Sequence, residues 1–259
     1  MTLRRTELPP AARAETRPPP GSVVYAVGDV HGRCDLLAAL QLAVGEDAGR
    51  RPARRRVLVY LGDYVSRGLD SRRVVDLVRG HRPGGFEVVA LKGNHEDLLL
   101  RWLGGEGPAG RHWFDYDGLD ALAHYGVAAA DREARDDATL EDLRRRFAAA
   151  LPAEHLAFFR TLAVSHDEGG YRFVHAGVRP GVALAAQQAG DQMWIRSEFL
   201  ESEDDHGAVI VHGHSIAEEV QVRRNRVGID TGAYRTGVLT CLVLEGAERA
   251  LLQTATGPR

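Results

Sequence analysis

At 259 residues and 44% hydrophobic content, the chain is long enough for one large domain or at most two small ones. A net charge of -3, from 33 basic and 36 acidic residues, provides no electrostatic footprint for nucleic acid or an anionic membrane surface. Cys34 and Cys241 are the only cysteines, too few for a disulfide framework, and no run of about 18 apolar residues exists to span a bilayer.

Lys92 is the sole lysine. Such a skew toward Arg, with abundant Ala and Gly, reads as genomic base composition, so an isolated surface arginine carries no functional weight. The N-terminus has charges but no apolar stretch of the secretory type, and a cytoplasmic protein is expected. Residues 1–21 hold Pro9, Pro10, Pro18, Pro19 and Pro20 and lack hydrophobic periodicity. They are expected to form a disordered arm, with order beginning at Ser22.

One unit then repeats three times. The apolar run Val23–Val27 ends in Gly28-Asp29-Val30-His31-Gly32, and Leu36, Leu37, Leu40 and Val44 follow at helical spacing. Val57–Leu61 ends in Gly62-Asp63-Tyr64-Val65-Ser66-Arg67-Gly68, with Val74, Val75 and Val78 behind it. Phe86–Leu91 ends in Lys92-Gly93-Asn94-His95-Glu96, followed by Leu98, Leu99 and Trp102. Each unit spans about 30 residues, the length of a βαβ element, and right-handed crossovers make such strands parallel. Their polar loops then share one edge of the sheet and face a common crevice.

Residues 104–165 read as a mainly helical insertion or cap. Thr139 stands ahead of Leu140, Leu143, Phe147 and Leu151, with Asp142 three positions on as an imperfect capping box; Pro152 closes that pattern and opens another helix through Leu156 and Phe159. Strands return at Tyr171–Val174, Val209–Val211, Val227–Ile229, Val238–Leu244 and Leu251–Leu252, enough for a second sheet packed on the first.

The strand-end loops supply Asp29, His31, Asp63, Asn94, His95, His175 and His214. Singly, each has an ordinary explanation: an Asp after a strand usually caps a helix, and a strand-end His usually packs. Five separate strand ends each delivering a metal-capable side chain beside or near Gly is a joint pattern those explanations do not cover. Carboxylate, amide oxygen and imidazole together suit Mn, Fe, Zn or Co better than an all-oxygen Ca or Mg site.

The series GDVHG, GDYVSRG, GNHE, VHAG and HGHS, in this order, resembles the phosphoprotein phosphatase branch of the calcineurin-like metallophosphoesterases, which includes bacterial serine/threonine phosphatases and symmetrical diadenosine tetraphosphate hydrolases. The likeness runs from about Val23 to Thr254, and the segments MWIRSEF and GIDTGA, containing Arg196 and Asp230, also resemble bacterial members. It implies an α/β fold, a two-sheet αββα sandwich over residues 22–259. It also implies two divalent metal ions, manganese foremost: Asp29, His31 and Asp63 at the first, with Asp63 bridging to a second completed by Asn94, His175 and His214. A metal-bridging hydroxide would attack phosphorus in line, His95 would be the general acid, and Arg67 and Arg196 would hold phosphate oxygens.

His212 is left beside His214 as a supporting residue, on the expectation that both face one way along a strand. Cys34 is read as helix packing rather than a ligand. Many relatives carry Asp where this chain has Ser66; serine is expected to keep an acceptor for His95 without the charge, giving weaker general acid catalysis suited to good leaving groups. The expected substrate is a phosphorylated protein, with a dinucleoside polyphosphate as the alternative and a non-catalytic phosphate-binding module third. Trp113, Phe114, Tyr116 and Tyr125 are expected to pack the cap rather than stack a base. Neither nucleic acid nor membrane is expected as a partner, and the oligomeric state is left open.

Overall fold

The structure is a computed structural model that describes residues 2–13, 15–130, 133 and 136–255. The remaining positions of the N-terminal arm, the insertion and the C-terminus lie outside the described residues. In chain order the strands are β1 (Thr2–Glu7), β2 (Ser22–Val27), β3 (Arg55–Tyr60), β4 (Phe86–Ala90), β5 (Ser165–Glu168), β6 (Tyr171–Val174), β7 (Val209–His212), β8 (Gln221–Val222), β9 (Arg226–Gly228), β10 (Thr240–Glu245) and β11 (Glu248–Ala255). The helices are α1 (Cys34–Gly49), α2 (Ser71–Gly80), α3 (Asn94–Leu103), α4 (Gly107–Asp115), α5 (Gly118–His124), α6 (Asp137–Ala150), α7 (Ala153–Thr161), α8 (Ala189–Trp194), α9 (Ser197–Leu200) and α10 (Ala233–Thr236).

Two sheets form, ordered β1-β11-β10-β2-β3-β4 and β5-β6-β7-β9-β8. The repeated unit gives the expected parallel trio β2-β3-β4, and the second sheet has its own parallel trio β6-β7-β9. Strand alternation then builds three layers of core. On β2, Val23, Tyr25 and Val27 pack toward α1–α7, while Val24 and Ala26 enter the space between the sheets. β3 splits likewise: Leu58 and Tyr60 face the helices, and Val57, Val59 and Leu61 face the second sheet. Tyr171, Phe173, Val209, Val211 and Val227 meet them from that second sheet. Its outer face carries Val174 and Ile210 against Ile195 and Phe199 beside α9. This is the αββα sandwich.

Three sequence expectations change. The arm is not disordered from its start: Thr2–Glu7 forms an edge strand antiparallel to β11, so order does not begin at Ser22. The strand has little apolar content and is held by its backbone ladder and by Arg5, which pairs with Glu7, Asp47 and Glu248. β10 and β11 rejoin the first sheet instead of extending the second, with Cys241 opposite Val27. In the insertion, Asp136 caps α6, accepting from the Thr139 backbone at 3.0 Å and the Thr139 hydroxyl at 2.7 Å. Thr139 is therefore a donor inside the first turn, and Asp142 pairs with Arg145 and Arg146 instead of closing a box.

Candidate metal centre and active site

Parallel strands of both sheets end at one place. Asp29 follows β2, Asp63 follows β3, Asn94 opens α3 after β4, His175 follows β6, and His214 lies just past β7. All five are buried, as are His31 and His95. The site loops need unusual backbone: His31, Asp63, Ser66, Arg67 and His214 all have positive φ, between 42° and 71°. Non-glycine residues held there cost about 1–3 kcal/mol each and persist where the surrounding structure over-determines them, commonly at functional sites. Two glycines let the loops close. A Cβ on Gly93 would collide with the Asp63 carboxylate, and one on Gly213 with the Asp29 carboxylate.

The six residues expected as ligands form one connected group. Asp63 sits at its middle, with Oδ2 3.4 Å from His31 Nε2 and Oδ1 3.5 Å from His175 Nε2. Asn94 Oδ1 is 3.0 Å from His175 Nε2. The His175 and His214 rings meet at 5.0 Å, and the His214 backbone N–H donates to Asp29 Oδ2 at 3.0 Å. Two triads have ligand atoms within 4.8 Å of one another: His31, Asp63 and His95, and Asp63, His175 and His214. Asp63 is common to both. His95 rather than Asp29 completes the first triad; Asp29 stands beside it, tied to His214.

Three features of this chain fit cation ligation here. Asp29 Oδ1 and His214 Nε2 are buried with no hydrogen-bond partner, a costly condition unless something else satisfies them. His31 and His175 each present Nδ1 to a backbone carbonyl, that of Val65 and of Leu61, at 2.9 Å, which turns Nε2 inward. Burial also holds the His31, His95 and His214 imidazoles well below their ordinary pKa, and that of His175 at about 4, so they stay neutral as a ligand must. Conversely, burial together with the neighbouring carboxylates raises Asp29, and burial raises Asp63. A cation would relieve both.

The supporting residues are placed by elements that the sequence pattern did not distinguish. Glu96, in the first turn of α3, is fully buried and accepts four backbone N–H groups: Tyr64 at 2.8 Å and Val65 at 3.3 Å on Oε1, Asp63 at 2.9 Å and Gly93 at 3.1 Å on Oε2. It clamps the loop carrying Asp63. In sequence an acidic residue in the first turn of a helix is ordinary, so nothing in the motif distinguishes Glu96. Asp230, buried after β9, accepts from Gly232 N–H at 2.9 Å, and its charge bears on Asp29.

The two arginines differ. Arg67 lies 4.6 Å from the Tyr234 ring centre, donates to His31 Nε2 at 2.9 Å and sits 3.6 Å from Asp117. Arg196 is exposed, and its side chain has no hydrogen bond or ion pair among the described residues. Its charge nevertheless bears on Asp63, His175 and His214, favouring the ionised carboxylate and the neutral imidazoles.

Several expectations resolve differently. Ser66 does not serve His95: its hydroxyl accepts from Trp113 Nε1 at 3.0 Å, and His95 Nδ1 has no partner. His212 and His214 do not face the same way, because the chain leaves extended geometry at His214. His212 turns to the outer face of the second sheet, its ring 5.1 Å from Phe199. Cys34 packs on the helical core at the start of α1, as expected. Trp113, Phe114 and Tyr125 are buried in the cap, whereas Tyr116 is 36% exposed and its ring is 6.1 Å from that of His95. No helix among the described residues is long and apolar enough to cross a membrane.

Comparison with known proteins agrees with this geometry. The family model described as calcineurin-like phosphoesterase matches residues 22–229. The chain is 26% identical to an asymmetrical bis(5'-nucleosyl)-tetraphosphatase of Anoxybacillus flavithermus, over 83% of its own length and 88% of that protein. It is 32% identical to a symmetrical bis(5'-nucleosyl)-tetraphosphatase of Aromatoleum aromaticum over 61% of its length, a match spanning only 45% of that relative. Among solved structures, one proposed to be a diadenosine tetraphosphatase superposes with a TM-score of 0.61 at 20% identity, covering 93% of this chain and 97% of the other, which establishes the fold. With the sandwich, the buried His/Asp triads and a family match over most of its length, the chain belongs to the calcineurin-like phosphoesterases, the metal-dependent hydrolases of phosphoester bonds.

Proposed function

We propose that this hydrolase cleaves a dinucleoside polyphosphate, the substrate class named for its tetraphosphatase relatives. The observation that carries this reading is the state of His95. Its Nδ1 lacks a partner, and Ser66, at the position where many relatives place Asp, supplies no carboxylate and accepts instead from Trp113. An imidazole with no carboxylate on Nδ1 is a poorer proton donor, and burial among the other imidazoles and Arg67 depresses His95 further. A serine or threonine alkoxide needs that proton on leaving. A nucleotide leaves through a phosphate oxygen whose conjugate acid has a pKa of about 6, and departs without one.

Asp29, His31, Asp63, Asn94, His175 and His214 would hold the metal pair, with Asp63 shared. Manganese is the proposed metal, and iron, zinc and cobalt suit the same donor set. A bound divalent pair supplies an activated water nucleophile and charge neutralisation for in-line displacement. Arg196, unpaired among the described residues and electrostatically felt by the cluster, would take phosphate oxygens bidentately, and Arg67, beside His31, would do the same. Glu96 keeps Asp63 in place while charge shifts.

The second reading, a serine/threonine phosphoprotein phosphatase, rests on the motif series. Family membership and the retained His95 leave the non-catalytic binding module without support. The discriminating experiment is a parallel assay of diadenosine tetraphosphate and a phosphopeptide panel with manganese-loaded protein. A preference of at least about tenfold in kcat/KM for the dinucleotide is expected; the same preference for a phosphopeptide would replace the first reading with the second.

A further inference from the structure

An arc of aromatic side chains borders the metal cluster. Tyr116, ending α4, has its ring 6.1 Å from His95 and 5.2 Å from His112. His112 in turn stacks on Trp194, at the end of α8, at 5.3 Å and 20° between planes. Trp194 closes the arc with its ring 6.5 Å from His214. The arc thus runs from the proton-donor candidate to the second triad along one side of the site. His112 and Tyr116 are exposed and Trp194 is half-buried.

Partly exposed rings gathered beside a buried polar cluster offer a ligand a flat apolar contact. Trp102 and Trp113, the other tryptophans, are buried in the cap with Phe114 and Phe147, as large apolar rings ordinarily are. Trp194 instead packs only partly on the helical core, and Tyr116 is 36% exposed, so both rings remain accessible in part beside the metal cluster. The local chain explains the placement. Helix α8 ends at Trp194, the buried Ile195 anchors the chain just beyond it, and the exposed Arg196 follows, so an aromatic ring and a guanidinium stand two residues apart in the chain beside the cluster. An aromatic ring and an unpaired guanidinium, neighbours in the chain at the edge of one site, match the two ends of a nucleotide.

We propose that the Trp194–His112–Tyr116 shelf is a nucleobase-stacking subsite, which holds one base of the substrate while Arg196 takes the adjoining phosphate. The inference rests on the dinucleoside polyphosphate reading and names the residues that select for the nucleoside. Stacking tolerates any base, because each has a π-face, so the shelf selects for a nucleoside without dictating which one. It also divides the labour between the cap, which contributes His112 and Tyr116 from the insertion, and the sandwich, which contributes the metal ligands.

Two measurements test it on the full chain. The first is the ratio of kcat/KM on diadenosine tetraphosphate to kcat/KM on inorganic tripolyphosphate, which offers the same anhydride without a base. Trp194→Leu is expected to lower that ratio about 10- to 100-fold, the range of one lost base stack, and Trp194→Phe to restore most of it. An unchanged ratio in Trp194→Leu overturns the shelf, since loss through a disturbed His214 would affect both substrates alike. The second measurement needs no turnover. Adenosine monophosphate is titrated into the protein without added metal while tryptophan emission is followed. Saturable quenching that disappears in Trp194→Leu supports the shelf, and its absence in the wild type overturns it. Failure to hydrolyse diadenosine tetraphosphate with quenching intact overturns the substrate reading while leaving the base subsite standing.

Discussion

Replacing Glu96 by glutamine tests whether the metal site is organised by its second layer. The carboxylate is fully buried and accepts from Asp63, Tyr64, Val65 and Gly93. Glutamine preserves the shape and one acceptor oxygen, but its amide NH₂ must face two of those N–H groups. Whichever way it is oriented, two charge-assisted hydrogen bonds are lost, each worth about 1.5–3 kcal/mol, and two buried donors are left facing a donor. Removing a buried charge, whose pKa burial has already raised to about 7, returns part of that. The net expectation is destabilisation of about 2–4 kcal/mol. Because the clamp fixes the loop carrying Asp63, manganese affinity should also fall about 10- to 100-fold. Urea denaturation of the metal-free protein gives the first number and calorimetric metal titration the second. If Glu96→Gln leaves both the urea midpoint and the metal affinity where they were, the loop is held by other means and the reasoning is wrong.

Three further outcomes are expected. Asp63→Asn, at the residue common to both triads, should abolish tight binding of both cations, whereas His214→Ala should leave one, as read by metal content after dialysis; two ions retained by Asp63→Asn would contradict the shared arrangement. Arg196→Ala should lower kcat/KM about 10²-fold, with a thermal midpoint within about 1 °C of wild type, because the side chain is exposed and unpaired. Arg51→Ala should cost more stability than Arg5→Ala in chemical denaturation, about 2–3 kcal/mol against under about 1. The Arg51 side chain is only 9% exposed and joins Asp47, Glu245 and Glu248, whereas that of Arg5 is 36% exposed.

The parts legible in the sequence were those written in local periodicity and composition. Apolar runs ending in Gly-Asp and Gly-Asn marked β2, β3 and β4, and parallel pairing followed from their spacing. Asp29, His31, Asp63, Asn94, His175 and His214 stand out in the sequence as metal-capable residues beside or near glycine at strand ends, and the fold brings them together. What stayed hidden depends on contacts made only in three dimensions. β1 is bound by ladder and ion pairs rather than by an apolar face, so no pattern announces it. Trp194 and His112 lie far apart in the chain and meet only when the cap settles on the sandwich. Ser66 looked like a substitute partner for His95, but it is Trp113, 47 positions downstream, that claims its hydroxyl. The two histidines flanking Gly213 share a face on an extended chain, and only the positive φ at His214 separates them.

Since one sheet brings Asp29, Asp63 and Asn94 and the other brings His175 and His214, neither layer holds a complete site. A chain released from synthesis before residue 175 would display three acidic or amide-bearing loops with nothing to answer them. Cation uptake is thus a report on whether the two halves of the molecule have joined in correct alignment. A slip of one strand position between them would leave secondary structure intact and silence the centre.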